Sequence, residues 1–270
     1  MSIFRFDFKR HIGGIIGWSI FIAILMVGFM MIFKLFGNSL QPENLTAKID
    51  ALPTLIRGLL GLNSYPELSN IFVFTAYVFQ FILLFSGLYA AILGAKALSG
   101  EEGKGTIEFL YAQPISRAQI LWGKFFSCFV SYLIYSVIIF VVTCLLIYFF
   151  QSDLSISGIA TKISRLLVCT VFTGLVYMSV GILFSALFRS NAESVSVMFA
   201  IVFITYIVGM IGLMAKRLSF LAFLSPVHAV FPLYSLTKTS SLIGLGIGVI
   251  VIILALLLSS LRYKRKDFIL

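Results

Sequence analysis

Few residues in this chain are of types that do acid–base, nucleophilic or metal chemistry. Of ten acidic residues, three (Glu101, Glu102 and Glu108) fall in Ser99–Lys124, SGEEGKGTIEFLYAQPISRAQILWGK. Within it, Gly103-Lys104-Gly105-Thr106 has some of the residue types of a phosphate-binding loop. That chemistry needs G-x-x-x-x-G-K-[ST] on a strand-to-helix turn, so that backbone N–H groups surround the phosphates and a hydroxyl holds the magnesium. Here position 98 is Leu and the residue after the lysine is Gly105, and the preceding segment has the character of a membrane helix. The spacing therefore gives no nucleotide site.

The other reactive types are equally sparse. His11 and His228 are the only histidines and sit near the ends of apolar segments. Cys128, Cys144 and Cys169 lie inside apolar runs without metal-type spacing and read as small buried hydrophobes. No serine within an apolar run has a candidate base beside it, which intramembrane hydrolysis would require. We expect no metal site, no bound cofactor and no enzymatic activity in this chain.

The elements that carry these residues are membrane spans. The chain is 60% hydrophobic and 11% charged, with mean hydropathy +1.09, whereas soluble domains carry about 25% charged residues. The net charge of +10 comes from short basic clusters flanking apolar blocks, the usual edge of a span, and not from a nucleic-acid-binding face. The expected fold is an all-α integral membrane protein, a single transmembrane domain over 1–270, with spans at about 13–36, 71–98, 122–150, 166–188, 194–214 and 242–261. No cleavable signal peptide is expected, because the first apolar run is too long for one and lacks a small-residue exit.

Residues 2–12 place Phe4, Phe8 and Ile12 at helical spacing with Arg5, Lys9 and Arg10 elsewhere, which predicts an interfacial helix; the alternation Phe4, Phe6, Phe8 also permits a strand. Leu45, Ile49, Leu52, Ile56 and Leu59 recur at 4-3-4-3 spacing, predicting an amphipathic surface helix that either gates an exit path or covers span ends. Gly13-x-x-x-Gly17 and Gly244-x-x-x-Gly248 are candidate helix contacts. Ser190 and Glu193 have capping-box spacing between the fourth and fifth spans. Ser225-Pro226 predicts a short helix or re-entrant segment before the sixth.

Six spans put both termini on one side. With the termini inside, twelve of the twenty Lys and Arg residues are internal and eight external, which favours a cytoplasmic loop at 99–121. No Asp, Glu, Lys, Arg or His lies at the midpoint of a span, an argument against a proton-coupled carrier, an ion pump or a voltage sensor. The second span is strongly aromatic, with Phe74, Phe81 and Phe85 on roughly one face and Gln80 near the middle. These four residues are a candidate cargo path, although aromatic residues in spans also serve packing and lipid contact.

The loop reads as two parts. Ile107, Leu110 and Tyr111 fall at i, i+3, i+4 in a short helix able to present an apolar knob to a partner groove. Pro114 then stops it, and Ser116-x-x-Gln119 is a capping box that restarts a helix into the third span. Such a lever would carry a push on the first helix directly into that span.

At these residues the sequence resembles the permease subunits of ABC-2-type ATP-binding-cassette transporters. Their loop after the second span is similar to E-x-x-x-G-T-x-E-x-L-x-x-x-P-I-S-R-x-x-x-x-x-x-K. Here that is Glu101 or Glu102, Gly105, Thr106, Glu108, Leu110, Pro114, Ile115, Ser116, Arg117 and Lys124. The resemblance implies an elbow helix at 2–12, a coupling helix in the loop (with Ile107), and a second contact at Arg189–Glu193. It implies a dimer of permeases, homomeric or heteromeric, on two cytoplasmic ABC ATPase subunits that bind ATP and magnesium. It also implies the bacterial cytoplasmic membrane as location.

Relatives of this kind export drugs, polysaccharides, lipid-linked glycans, peptides and toxins. An aromatic, uncharged path suits an amphipathic peptide such as a lantibiotic or phenol-soluble-modulin-like toxin, or a hydrophobic drug. The alternative is a non-transporting sensor or immunity subunit that binds a peptide at the outer face.

Overall fold

In a computed structural model, the described residues are 3–36, 68–102, 116–151, 155–214, 216–230 and 242–265. They are helical and include no strand. Six helices are long and apolar enough to cross a membrane. In chain order they are α1 (Ile3–Phe36), α2 (Ile71–Lys96), α4 (Arg117–Phe150), α5 (Ile156–Leu187), α6 (Asn191–Met214) and α8 (Leu242–Arg265), with the short helices α3 (Ser99–Glu102) and α7 (Pro226–Ala229) between them. The six-span, all-α expectation is met.

Local chemistry sets the helix starts. Asn70 accepts from Phe72 N at 2.9 Å, Ser116 from Gln119 N at 3.3 Å and Ser155 from Gly158 N at 3.2 Å, each satisfying an amide that has no partner inside its helix. At Ser116 the expected capping box is complete, since Gln119 Oε1 accepts from Ser116 N at 2.9 Å. The expected 45–59 helix lies outside the described residues.

Several boundaries differ from the sequence expectation. α1 runs unbroken through Ile12 and Gly13, so residues 3–12 continue the first span in one 34-residue helix, and the strand alternative is excluded. Nothing chemical interrupts that helix, because glycine is tolerated where neighbouring helices and membrane hold the backbone. α4 begins at Arg117, directly after the expected Ser116 cap, and runs without a break into the span expected from 122, while α5 begins at Ile156 rather than 166. Lys124, Lys162 and Arg165 mark turns of these helices, not their flanks. At 34 residues, α4 is about 50 Å long and overshoots a ~30 Å hydrocarbon core.

The core is the pair α2 and α5, whose most apolar windows are 72% and 61% buried, against 28% for α1 and 22% for α8. Their backbones touch through Gly94 and Gly181. A Cβ on Gly94 would run into the carbonyl of Met178, and one on Gly181 would lie 2.7 Å from the Ala91 oxygen. This is small-residue packing between membrane helices. α1 lies on α4, presenting Ile15, Ser19, Ile22, Met26 and Met30 at helical spacing. α8 lies on α5, with Gly248 against Phe172 and Gly244 against Ala229 of α7. Gly13 and Gly17, the other expected pair, face open space.

Some hydroxyls buried in the spans bond within their own helix, Ser131 to Ser127 O at 2.7 Å and Thr143 to Ile139 O at 2.8 Å. Apolar surroundings offer no water to do so. Between α6 and α8 the chain doubles back. A 3-10 helix, Lys216–Leu224, packs on Gly212 of α6, and α7 seats His228 beside Gly209 and 5.2 Å from the Tyr206 ring. The expected Ser225-Pro226 start is present, but the Ser225 hydroxyl bonds His228 Nδ1 at 2.8 Å and does not cap the helix.

Candidate functional site

The candidate site is the end of the bundle where α1 begins and α8 ends, and where 103–115, outside the described residues, connects α3 to α4. On the leaving side, α2 closes in a turn at Ala97–Leu98 and α3 follows. The Ser185 hydroxyl of α5 accepts from both Leu98 N and Ser99 N at 2.8 Å, and itself donates to Ser99 Oγ at 3.3 Å. One buried hydroxyl thereby satisfies two buried amides at the start of the loop. α3 in turn packs against α6, the helix that starts just after Arg189.

On the rejoining side, Arg117 reaches α8. Its guanidinium donates to Tyr263 O at 3.4 Å and Lys264 O at 3.0 Å. These last-turn carbonyls have no partner within their helix, and a cation there also complements the helix dipole. Two turns further along α4, Lys124 pairs with Asp7 of α1 at 3.3 Å, with both side chains almost wholly buried. His11 lies one turn beyond Asp7, its Nδ1 3.1 Å from Ser131 Oγ. Since that hydroxyl's proton goes to Ser127 O, the imidazole Nδ1–H is the donor.

The sequence-predicted residues fall as follows. Glu101 and Glu102 belong to α3. Gly105, Thr106, Ile107, Glu108, Leu110 and Pro114 lie outside the described residues. Ser116 and Arg117 are the cap and first residue of α4. Arg189 is exposed at the bend between α5 and α6, and Glu193 is exposed in the first turn of α6, where its charge suits the helix dipole. The α3–α6 contact thus places the leaving side of the loop next to the Arg189–Glu193 bend.

The aromatic face of α2 packs on α1. Phe74, Phe81 and Phe85 meet Phe33, Phe29 and Phe21 at centroid distances of 5.0, 6.2 and 5.4 Å. Gln80 is fully buried on the same helix.

Two cavities among the described residues are relevant. One, about 350 Å³, opens at the terminal end among α1, α2, α4 and α6 and is bordered by Arg10, His11, Lys96, Lys124, Asp7 and Tyr89. The other, about 130 Å³ and almost wholly apolar, lies where α5, α6 and α8 meet the doubled-back segment, beside Tyr177, Thr205 and Pro226. Neither is bordered by Phe74, Gln80, Phe81 or Phe85. Among the described residues, no group of three or more His, Cys, Asp or Glu side chains could hold a metal.

Sequence reasoning missed Ser185, the Asp7–Lys124 pair and the Tyr132–Gly174 contact. In the last, the Tyr132 ring fills the space of a side chain at Gly174 and its hydroxyl donates to Thr170 O at 3.0 Å. Nothing local marks these residues; each needs its partner from a distant span.

The six membrane-length helices define a multi-pass membrane protein. The sequence profile of the ABC-2 family transporter proteins matches residues 1–268, and the chain belongs to that family. It is a transporter membrane domain of the kind that works with an ATPase subunit. No curated protein sequence matches this chain.

Proposed function

We propose that this chain is the membrane-spanning subunit of an ATP-driven exporter that moves an amphipathic peptide or hydrophobic drug outward across the cytoplasmic membrane. Both termini and the 103–115 loop face the cytoplasm in this proposal. Two copies of an ABC ATPase grip that loop and the Arg189–Glu193 bend. They supply the ATP and magnesium chemistry, and this chain has no catalytic role. A second permease copy completes the translocation unit.

The observation that carries this proposal is the family match over nearly the whole chain to a six-span bundle. The bonding at the loop ends supports the lever. A displacement of the loop is passed to α5 through Ser185, to α8 through Arg117 and to α1 through Lys124. Phe74, Gln80, Phe81 and Phe85 remain the proposed cargo path. A path along that face requires α1 to part from α2, separating three ring pairs worth about 0.5–1.5 kcal/mol each beyond their burial.

The test is transport by the complex reconstituted in vesicles. A labelled amphipathic peptide should move on addition of ATP, and ATP binding without peptide movement would favour the sensor alternative. Glu108→Lys and Leu110→Asp should insert normally but fail to co-purify the ATPase. Retention of the ATPase by both variants would refute the coupling assignment.

A further inference from the structure

The cavity at the terminal end has a charge balance that transport does not explain. Its border carries three permanent cations, Arg10, Lys96 and Lys124, and one carboxylate, Asp7, which already lies 3.3 Å from Lys124. With His11 neutral, the described residues leave an excess of two positive charges around a partly enclosed space. Low-dielectric walls strengthen that field.

Tyr89 supplies a second, independent observation. It is 2% exposed, borders the same cavity, and among the described residues its hydroxyl has no hydrogen-bond partner. A buried hydroxyl is ordinarily paired. Here it ends 3.6 Å from the position a Cβ would take on Gly14, an ordinary contact distance, beside the cavity that Gly14 also borders. Trp18 lies against that ring at 5.5 Å, and Leu93 and Cys128 form an apolar floor.

The geometry points to a phosphate-ester site for the headgroup of an anionic phospholipid of the phosphatidylglycerol class. Phosphate oxygens take the fork of Arg10, the ammonium of Lys96 and the Tyr89 O–H, while the glycerol carbons lie on the apolar floor. Arginine and lysine are the side chains that bind such groups. The volume, about 350 Å³, equals that of roughly a dozen waters at ~30 Å³ each and suits a phosphoglycerol group. α1, whose outer face is largely exposed, gives the acyl chains a lateral way into the bilayer. This inference stands apart from the cargo and does not depend on the ATPase.

The experiment uses the full-length chain purified in neutral detergent, with thermal unfolding followed by intrinsic fluorescence. It is titrated in parallel with dioctanoyl phosphatidylglycerol, dioctanoyl phosphatidylcholine, glycerol 3-phosphate and inorganic phosphate. Phosphatidylglycerol should raise Tm by several degrees, and phosphatidylcholine should have little effect. Arg10→Gln combined with Lys96→Gln, both exposed and outside the core, should leave the lipid-free Tm in place and weaken the response at least tenfold. Tyr89→Phe, which removes only the hydroxyl, should weaken it severalfold. Arg262→Gln with Lys264→Gln, at the same end but away from the cavity, should change nothing. Equal responses to the two lipids, or a response untouched by Arg10→Gln/Lys96→Gln and by Tyr89→Phe, would overturn the site. An equal, variant-sensitive response to inorganic phosphate alone would overturn the lipid as occupant and assign the site to soluble phosphate.

Discussion

Asp7→Asn is the sharpest probe of how the first span is fixed to the helix that returns from the loop. Asp7 and Lys124 are 3.3 Å apart, with side chains 6% and 4% exposed. At an effective dielectric of about 20 their attraction is about 5 kcal/mol before desolvation is counted. Most of that attraction offsets the cost of burying the charges, so the pair adds little net stability. Removing one partner leaves the other charge buried, at about 3–5 kcal/mol. For a chain of this size that lowers Tm by roughly 6–20 °C.

Lys124→Met should cost a similar amount. The double variant Asp7→Asn/Lys124→Met should be markedly more stable than either single variant, with a coupling of about 3 kcal/mol in thermal unfolding of the detergent-purified chain. Strictly additive effects would refute the reasoning and mean that these side chains do not act as a pair.

Gly94→Val should separate α2 from α5 and cost about 1–3 kcal/mol or more, since it meets backbone that cannot step aside. Gly17→Ala, in open space, should be neutral or gain up to about 1 kcal/mol; thermal unfolding distinguishes the two. Ser185→Ala removes the acceptor of two buried amides at about 1–3 kcal/mol each, and hydrogen exchange at Leu98 and Ser99 should accelerate. Burial pushes the His228 imidazole down from 6.5 to about 4. The folded chain therefore binds fewer protons than the unfolded one between those values. Stability should fall by up to about 3 kcal/mol as pH drops from 6.5 to 4, and unfolding of His228→Asn should lack that slope.

Local signals were legible in the sequence and distant ones were not. The Ser116 and Gln119 pair could be read as a cap because all its atoms come from one helical turn. The spans were legible because lipid imposes a long apolar run on each. Charges misled the boundaries: Lys124, Lys162 and Arg165 resemble span flanks, yet α4 and α5 continue past them. Lys124 finds its counter-charge on α1, and Lys162 rests over the Phe72 ring at 4.5 Å. Glycine spacing was informative for Gly244 and Gly248, which meet other elements, and uninformative for Gly13 and Gly17. The tightest crossing uses Gly94 and Gly181, one glycine from each of two spans, a pattern no single-helix motif records. Ser185 resembles any hydroxyl in a membrane helix until the turn after α2 is placed beside it.

The hold of Arg117 on the carbonyls of Tyr263 and Lys264 has a practical consequence for anyone labelling this protein. A fluorophore near residue 117 and another near residue 264 would sit either side of this joint, their separation fixed by its two hydrogen bonds. A cargo protein fused behind the last helix would hang its weight on the same joint. Dyes intended to test the proposed parting of α1 from α2 belong on opposite sides of that seam instead.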